Sequence, residues 1–600
     1  MPSLAFLAPA ISLALCLIPV FLLRRKAYAR AQDYFVSSDH TPPGVIQNSS
    51  IAYALKMATF GPFFAWGASG DLWPAIIGSA FFGLGSYLIY VLRRPLLEFL
   101  GSALNSDRSI TLSAFVAQRH GDDPRVRLLA SSLTAFALTG LVVCETIGVA
   151  AILKPALSDD AGLSYLFIVG VLAFMALCTI PSGNSGAMYS AQLQLGTLYL
   201  GLFGATAFLL YLQVSALSSM PPHATLAIAF VTAFCAAIPI YRRSRFVDRN
   251  VITQPRSDTG GAARDSSGAR MLSRLQRILN VCVSVFAALV VVVALMELYS
   301  DGPATVVRDS AAALQAATRV PDIGLIALVL LPLFYPIVDI TNWQRIAAFE
   351  KDRDVSLDES GQWSAAFKRF CIRYAAESPL AWLFMCAFGA IVASAATPGD
   401  TDVVQAFISG LISQQNEVAT TGLSLLLVGV LAMASSTMTS LFSASLATFR
   451  YDIVPVLWPE PAPGGVPAFA QATATRRTIA AGAGLCLVIL LASYLIGEHL
   501  GITFTSGKFL ALVFAFSCAQ LAFVPLVLGP LIGRTRQGFE AVGSGWALGI
   551  LGCGAAMGVG AVAVYLVTGR EPWLWAAVPA CLATGALLFA VARLQAARGA

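Results

Sequence analysis

The chain has 600 residues, of which 57% are hydrophobic and only 12% are charged. Soluble domains carry about twice that share of charged residues, so this composition excludes an ordinary soluble protein. Many apolar runs reach the roughly 20 residues that a helix needs to cross a bilayer, which predicts an all-α polytopic membrane protein. An outer-membrane barrel would show short alternating segments instead. The net charge of +6 is assigned to basic loops and not to a nucleic-acid surface.

About fifteen apolar segments are candidate transmembrane helices. Basic residues in their connectors fall on alternate sides, which by the positive-inside rule predicts an outside N-terminus and a cytoplasmic C-terminus in a cell membrane. The first segment lacks a basic stretch before its apolar run, so an uncleaved span is favoured over a signal peptide. The predicted spans are 4–23, 48–68, 73–93, 127–154, 163–181, 189–213, 223–241, 275–298, 322–346, 374–395, 420–447, 478–498, 506–532, 541–567 and 572–594.

The connectors carry no recognisable catalytic domain. The polar, Gly- and Ser-rich stretch 246–272 predicts a flexible cytoplasmic loop, and a second basic connector is expected at 345–373. The chain contains no Walker loop, HExxH, GxSxG or Cys/His cluster, so neither an ATP-driven pump nor an enzyme is expected. The eleven cysteines form no CxxC pair and are interpreted as packing residues.

Three predicted spans contain an ionisable residue: Lys56, Glu145 and Asp339. A charge at the bilayer centre costs about 3 kcal/mol on insertion scales, so such residues normally face the protein interior and serve function. Each also has a structural alternative. Lys56 would reach the cytoplasmic surface along its aliphatic stem. Glu145 would be a protonated structural acid that bonds a neighbouring helix, and Asp339 would cap the inner half of a broken helix.

Two local motifs point to a cation site. In Met433-Ala434-Ser435-Ser436-Thr437, positions i, i+3 and i+4 share one helix face, so the Met433 carbonyl and two hydroxyls converge. These oxygens suit Na⁺, although the same hydroxyls commonly bond the preceding turn in membrane helices. Gly61-Pro62 lies in the middle of the 48–68 span and predicts a helix broken around Phe60–Pro62, with a simple kink as the alternative. Pro336 likewise predicts a break around Tyr335–Asp339.

Several stretches, in this order, resemble the sodium:solute symporter family, which includes proline permease and the sodium–glucose cotransporters. Asp33-Tyr34-Phe35 resembles the family's cytoplasmic DYF segment. The hydroxyl spacing of SSTMTSLFSASLATFRYD, which ends at Asp452, resembles its eighth-helix signature and is the most specific match. The resemblance extends over nearly the whole chain, through LVFAFSCAQLAFVPLVLGPLIG in the tenth core helix.

The resemblance implies a leucine-transporter-type fold: two inverted five-helix repeats whose first and sixth core helices are broken. The implied divisions are a leading helix and connector at 1–47, a first repeat at 48–213, an inserted pair at 214–321, a second repeat at 322–532 and two accessory helices at 533–600.

The resemblance also implies a site and a function. The chain is expected to be a cation-coupled symporter, with Na⁺ as the expected cation, that moves a small organic solute through the lipid bilayer. The implied cation ligands are Met57, Phe60, Met433, Ser436 and Thr437, and no other metal is expected. The candidate solute-binding residues are Lys56, Thr59, Phe64, Glu145, Tyr335 and Asp339.

Three positions depart from the family pattern and keep alternatives open. Thr59 stands where some members have an aspartate, Ala191 replaces the acid assigned to ion release, and Lys56 adjoins the implied cation site. The alternatives are an ion-independent or proton-linked carrier, in which Lys56 replaces the cation, and a transporter-like membrane sensor. The sequence does not indicate the identity of the solute.

Overall fold

The computed structural model describes residues 2–23, 31–36, 41–105, 109–153, 161–212, 320–351, 362–395, 417–457, 507–533 and 542–599, with isolated positions at 408–412 and 480–495. In these residues all regular secondary structure is helical. The first group of helices is α1 (Pro2–Leu23), α2 (Ala31–Phe35), α3 (Pro43–Ala54), α4 (Met57–Ser69), α5 (Trp73–Val91), α6 (Arg93–Asn105), α7 (Leu112–Arg119), α8 (Pro124–Leu153), α9 (Ala161–Thr179) and α10 (Gly183–Leu212).

The second group begins after residue 319. Its helices are α11 (Asp322–Val338), α12 (Ile340–Lys351), α13 (Gln362–Ala395), α14 (Glu417–Thr448), a π-helical turn (Phe449–Ile453), α15 (Val454–Leu457), α16 (Gly507–Leu521), α17 (Val524–Gly533), α18 (Ser544–Thr568) and α19 (Glu571–Gly599).

The helix lengths agree with a polytopic membrane protein. Within the described ranges, seven helices are long and apolar enough to span a bilayer, or eight if the bent pair α16–α17 counts as one span. Twelve of the fifteen predicted spans coincide with helices or helix pairs. The predicted spans 223–241 and 275–298, and most of 478–498, lie outside the described residues. The total of fifteen therefore stays a prediction.

The predicted connector at 345–373 is wrong at both ends. Helix α12 continues to Lys351, and α13 already begins at Gln362. Several charged residues of this connector instead lie on helices, namely Glu350, Lys351, Lys368, Arg369 and Arg373. Arg373 pairs with Glu377 one turn later, at 2.8 Å, which is an arrangement that supports a helix.

Of the two breaks that the sequence predicted, only one lies in the predicted place. The break at Asp339, between α11 and α12, confirms the predicted region. The first break lies at Leu55 and Lys56, whereas Phe60–Pro62 are helical residues of α4, so the predicted position was wrong. The physical reason is a carboxylate from α8, described below, which satisfies the free N–H groups of a helix that begins at Met57.

The helix contacts around the breaks occur in related pairs. Helix α4 packs on α13, α11 packs on α5, and α5 packs on α13. The first broken helix thus contacts α13, and the second contacts α5. If the first broken helix corresponds to the second, and α5 corresponds to α13, these two contacts are equivalent. Such pairing supports two inverted repeats, although the repeat relation itself stays a prediction.

Close backbone approach between α4 and α13 depends on two glycines. A Cβ atom on Gly67 would overlap the carbonyl oxygen of Cys386, and one on Gly389 would overlap the carbonyl oxygen of Phe64. Small residues allow membrane helices to approach in this way. Helix α4, the second half of the first broken helix, is thereby held firmly against α13.

Candidate functional site

Glu145 determines where the second half of the first broken helix begins. This buried residue of α8 accepts hydrogen bonds from the backbone N–H groups of Met57 (2.8 Å to Oε2) and Ala58 (3.1 Å to Oε1). The first N–H groups of a helix have no partner within that helix, and a negative charge there interacts favourably with the helix dipole. The structural role predicted for Glu145, a bond to a neighbouring helix, is confirmed.

Asp339 plays the corresponding part at the second break. Its Oδ1 accepts hydrogen bonds from the backbone N–H of Thr341 (2.9 Å) and from the Thr341 hydroxyl (2.8 Å). This is the N-cap geometry expected of an aspartate, so the predicted capping role is confirmed. The side chains of Asn342 and Trp343 donate in turn to the last carbonyls of α11. Both breaks thus have a carboxylate at the start of the following helix.

The predicted convergence of oxygens on α14 is present. The Ser436 hydroxyl lies 2.8 Å from the Met433 carbonyl oxygen, and the Thr437 hydroxyl lies 3.2 Å from the same oxygen. Both hydroxyls therefore also make the bonds to the preceding turn that were the alternative interpretation. All three residues are buried.

The first broken helix supplies two further oxygens to this cluster, from residues other than those expected. The Ser436 hydroxyl lies 3.1 Å from the Ala52 carbonyl oxygen, and the Thr437 hydroxyl lies 3.5 Å from that of Leu55. The resemblance had implied Met57 and Phe60, which follow the break instead of preceding it. The shift follows from the misplaced break, since the free carbonyls belong to the last turn of α3. We call these five oxygens, from Ala52, Leu55, Met433, Ser436 and Thr437, the oxygen cluster.

Lys56 is buried at the first break. Its side chain is 7% exposed, so the predicted alternative of reaching the cytoplasmic surface is wrong. Its Nζ lies 4.4 Å from the ring centroid of Tyr335 and 5.1 Å from that of Tyr53, which are cation–π distances. Among the described residues, no carboxylate forms an ion pair with it. Lys56 therefore forms no ion pair with Glu145, the nearby carboxylate that accepts from the first N–H groups of α4.

A partly open cavity lies beside Lys56. Of the six candidate solute-binding residues, Lys56, Thr59 and Tyr335 line it. The other three do not: Glu145 and Asp339 are helix caps, and Phe64 packs against Phe388. Aromatic rings form much of the wall, namely those of Phe63, Trp66, Phe82, Tyr335, Trp382 and Phe514.

Sequence reasoning missed two residues near the breaks. Arg345, on α12, is buried and donates hydrogen bonds to the hydroxyls of Ser49 (3.2 Å) and Ser440 (2.8 Å). It lies where the predicted span 322–346 meets the predicted connector 345–373, and the sequence analysis gave it no role in the site. Trp382 donates to the Ala54 carbonyl at 2.8 Å, and nothing distinguishes it from its apolar neighbours in the sequence.

No family model and no curated protein matches the chain. Among solved structures, a Na⁺-coupled sialic acid symporter in a substrate-bound, outward-open state matches 99% of this chain and 98% of its own, with a TM-score of 0.56 and 13% identity. Two structures of a manganese transporter from Eremococcus coleocola match 94% of this chain at 12% identity, with TM-scores of 0.42 and 0.44. The first match shows that the chain has the fold of a membrane transporter.

Proposed function

We propose that the chain is a secondary active transporter that couples movement of a small organic solute to a cation, with Na⁺ as that cation. The oxygen cluster carries this proposal, because it joins free carbonyls at a helix break to two hydroxyls on a neighbouring helix. Hard cations prefer oxygen ligands, and free carbonyls at broken helices bind Na⁺ in transporters. The shared fold with a Na⁺-coupled symporter supports it further.

The geometry suggests how cation binding is coupled to movement. The five oxygens come from the C-terminal end of α3, including its cap residue Leu55, and from α14, so a cation bound among them favours the arrangement in which these helices are close together. The hydroxyls of Ser436 and Thr437 donate to the surrounding carbonyls. A ligand shifts a conformational equilibrium only by its difference in affinity for the two states. A site whose ligands come from two separate helices binds the cation more tightly in the state in which those helices are close together, and this provides the difference in affinity.

Uptake into proteoliposomes tests the coupling. A panel of solutes is offered to the purified full chain with an inward Na⁺ gradient or with choline in place of Na⁺. Ser436→Ala and Thr437→Ala each remove one oxygen, and interactions with charged groups contribute about 1.5–3 kcal/mol, so half-saturation by Na⁺ is expected to rise about tenfold or more. Ser435→Ala is the matched control, because Ser435 bonds the Ala432 carbonyl on the same helix. Unchanged Na⁺ dependence in both cluster variants contradicts the assignment.

One observation favours an ion-independent or proton-linked carrier as the second candidate. The guanidinium of Arg345 bonds Ser440, whose hydroxyl donates to the Ser436 carbonyl at 2.9 Å, so a buried cation of the protein lies one turn from the oxygen cluster. The sequence left open that Lys56 would replace the cation, but its ammonium lies against the ring of Tyr335 instead. Equal uptake in Na⁺ and in choline supports this candidate, whereas binding without any uptake supports a sensor.

A further inference from the structure

The cavity beside Lys56 combines apolar walls with a single charged group. Its polar side chains are few, namely those of Lys56, Thr59, Tyr335 and Ser517 and the indole groups of Trp66 and Trp382, and none of its lining residues is acidic. Apolar pockets with a few fixed polar groups recognise ligands by shape and by the placement of those groups. A sugar would leave many of its hydroxyls without partners here, which is costly. The walls therefore fit a largely apolar body.

The charge of Lys56 lacks a direct counter-charge. Asp339 and Glu145 are the nearby acids that act on it electrostatically. Each is engaged elsewhere: Glu145 bonds the first two N–H groups of α4, and Asp339 bonds Thr341 at the start of α12. In the part of the chain that the structure describes, Lys56 makes contact through its charge only with the rings of Tyr53 and Tyr335. A buried ammonium in this state is expensive unless an anion joins it.

The N-terminus of α4, which also attracts anions at this break, is already occupied by a side chain of the protein. The N-terminus of a broken helix commonly receives the anionic group of a transported substrate. In this chain the carboxylate of Glu145 fills that position on α4. Thr59 offers no competing donor, since its hydroxyl donates to the Lys56 carbonyl at 2.8 Å. An anionic ligand in the cavity therefore has the Lys56 ammonium as its charged partner.

We propose that the solute is a small carboxylate with a flat apolar body, held by its carboxylate on Lys56 and by its body among the aromatic rings of the cavity. This inference rests on the proposed function, because it names the solute class of that transporter. It treats Lys56 as a group for the solute and not as a replacement for the cation. The rings of Trp66, Trp382 and Phe514, which belong to three different helices, surround the body of the ligand.

Calorimetric binding to the purified full chain in nanodiscs tests this proposal at constant Na⁺ concentration, without a gradient. The probes are benzoate and benzamide, which share a shape and differ in charge, together with benzylamine and sorbitol. Losing one partner of a buried charge pair costs about 2–5 kcal/mol, so benzoate is expected to bind about thirtyfold or more tightly than benzamide. Benzylamine and sorbitol are expected not to bind.

Lys56→Met keeps the length of the side chain and removes its charge, and it is expected to abolish the preference for benzoate over benzamide. Lys508→Met is the matched control, because Lys508 is an exposed lysine on α16, a helix that itself lines the cavity, and its own side chain is not part of the lining. The control should retain the wild-type preference. The comparison on wild-type protein stands even if the Lys56 variant fails to fold, which size-exclusion chromatography reveals.

Three results overturn the proposal: equal affinity for benzoate and benzamide, binding of benzylamine or sorbitol in preference to benzoate, and no binding of benzoate at all. These results are separate from those that test coupling. Tight benzoate binding with uptake that ignores Na⁺ refutes cation coupling and leaves the solute class standing. Na⁺-driven uptake of an amine or a sugar refutes the proposed solute class and leaves cation coupling standing.

Discussion

Replacing Glu145 tests whether one side chain of α8 determines the start of α4. The Glu145 carboxylate accepts two backbone hydrogen bonds, from Met57 and Ala58, inside the protein. A hydrogen bond to a charged group contributes about 1.5–3 kcal/mol, so losing both costs about 3–6 kcal/mol. Glu145→Met removes both bonds with little change in volume. Glu145→Gln retains one acceptor oxygen and is expected to cost about half as much.

Two measurements separate this effect from a general loss of stability. The midpoint of thermal unfolding in nanodiscs, without solute, should fall most in Glu145→Met and less in Glu145→Gln. Hydrogen–deuterium exchange should rise locally in the peptide that contains Met57 and Ala58, because these amides lose their partners. Thr146→Val is the control, since the neighbouring Thr146 hydroxyl bonds the Val142 carbonyl of its own helix. Wild-type exchange at Met57 and Ala58 in the Glu145→Met variant would refute the reasoning.

Two further predictions concern packing and pH. Gly201→Ala on α10 places a Cβ atom against the backbone nitrogen of Gly429 on α14, so it should destabilise the protein by about 1–3 kcal/mol in a denaturant titration, whereas Gly552→Ala, which meets nothing within 4 Å, should leave stability equal or higher. His120, outside the membrane-spanning helices, donates from Nε2 to the Leu526 carbonyl and accepts the Val542 N–H on Nδ1, and burial lowers its pKa below the usual 6.5. Its folded form therefore stays neutral while the unfolded chain takes up a proton, so its contribution to stability is present above pH 6.5 and is lost as pH falls further. Thermal midpoints between pH 7.5 and 5.5 should fall more steeply in wild type than in His120→Gln, which can make the same bonds without titrating.

Much of the helical architecture was predictable because hydropathy reports it directly. Apolar runs of about 20 residues and the charges between them predicted twelve segments that the structure describes as helices or helix pairs. The ends of the helices were harder to predict from the sequence, as α13 shows. Its first turns carry charges that normally indicate a loop, and only the pairing of Arg373 with Glu377 and the packing of Trp363 on Phe367 explain a helix there. Hydropathy averages over such pairs and cannot detect them.

The position of the first break shows why the site was only partly predictable. Proline is the strongest local signal for a break, and Pro62 pointed to Phe60–Pro62. The chain breaks at Leu55 and Lys56 because Glu145, 88 residues away from Met57 in sequence, supplies the acceptors for a helix start there. The carbonyls that lie beside the Ser436 and Thr437 hydroxyls accordingly belong to Ala52 and Leu55, whereas the implied ligands Met57 and Phe60 follow the break. Contacts between distant segments decide such positions, and hydroxyl spacing within one helix, as in Ser436 and Thr437, is the part that a single sequence reveals.

The three buried charges were apparent from the sequence, but their roles depend on what each one contacts. Glu145 and Asp339 satisfy backbone N–H groups at the two breaks, so their charges are accounted for by structure alone. Lys56 has no such partner among the described residues and faces the cavity. A charge whose burial is costly and that has no counter-charge among the described residues is the one best explained by a ligand. The same rule that predicted function for all three residues therefore singles out Lys56 once the helix caps are recognised.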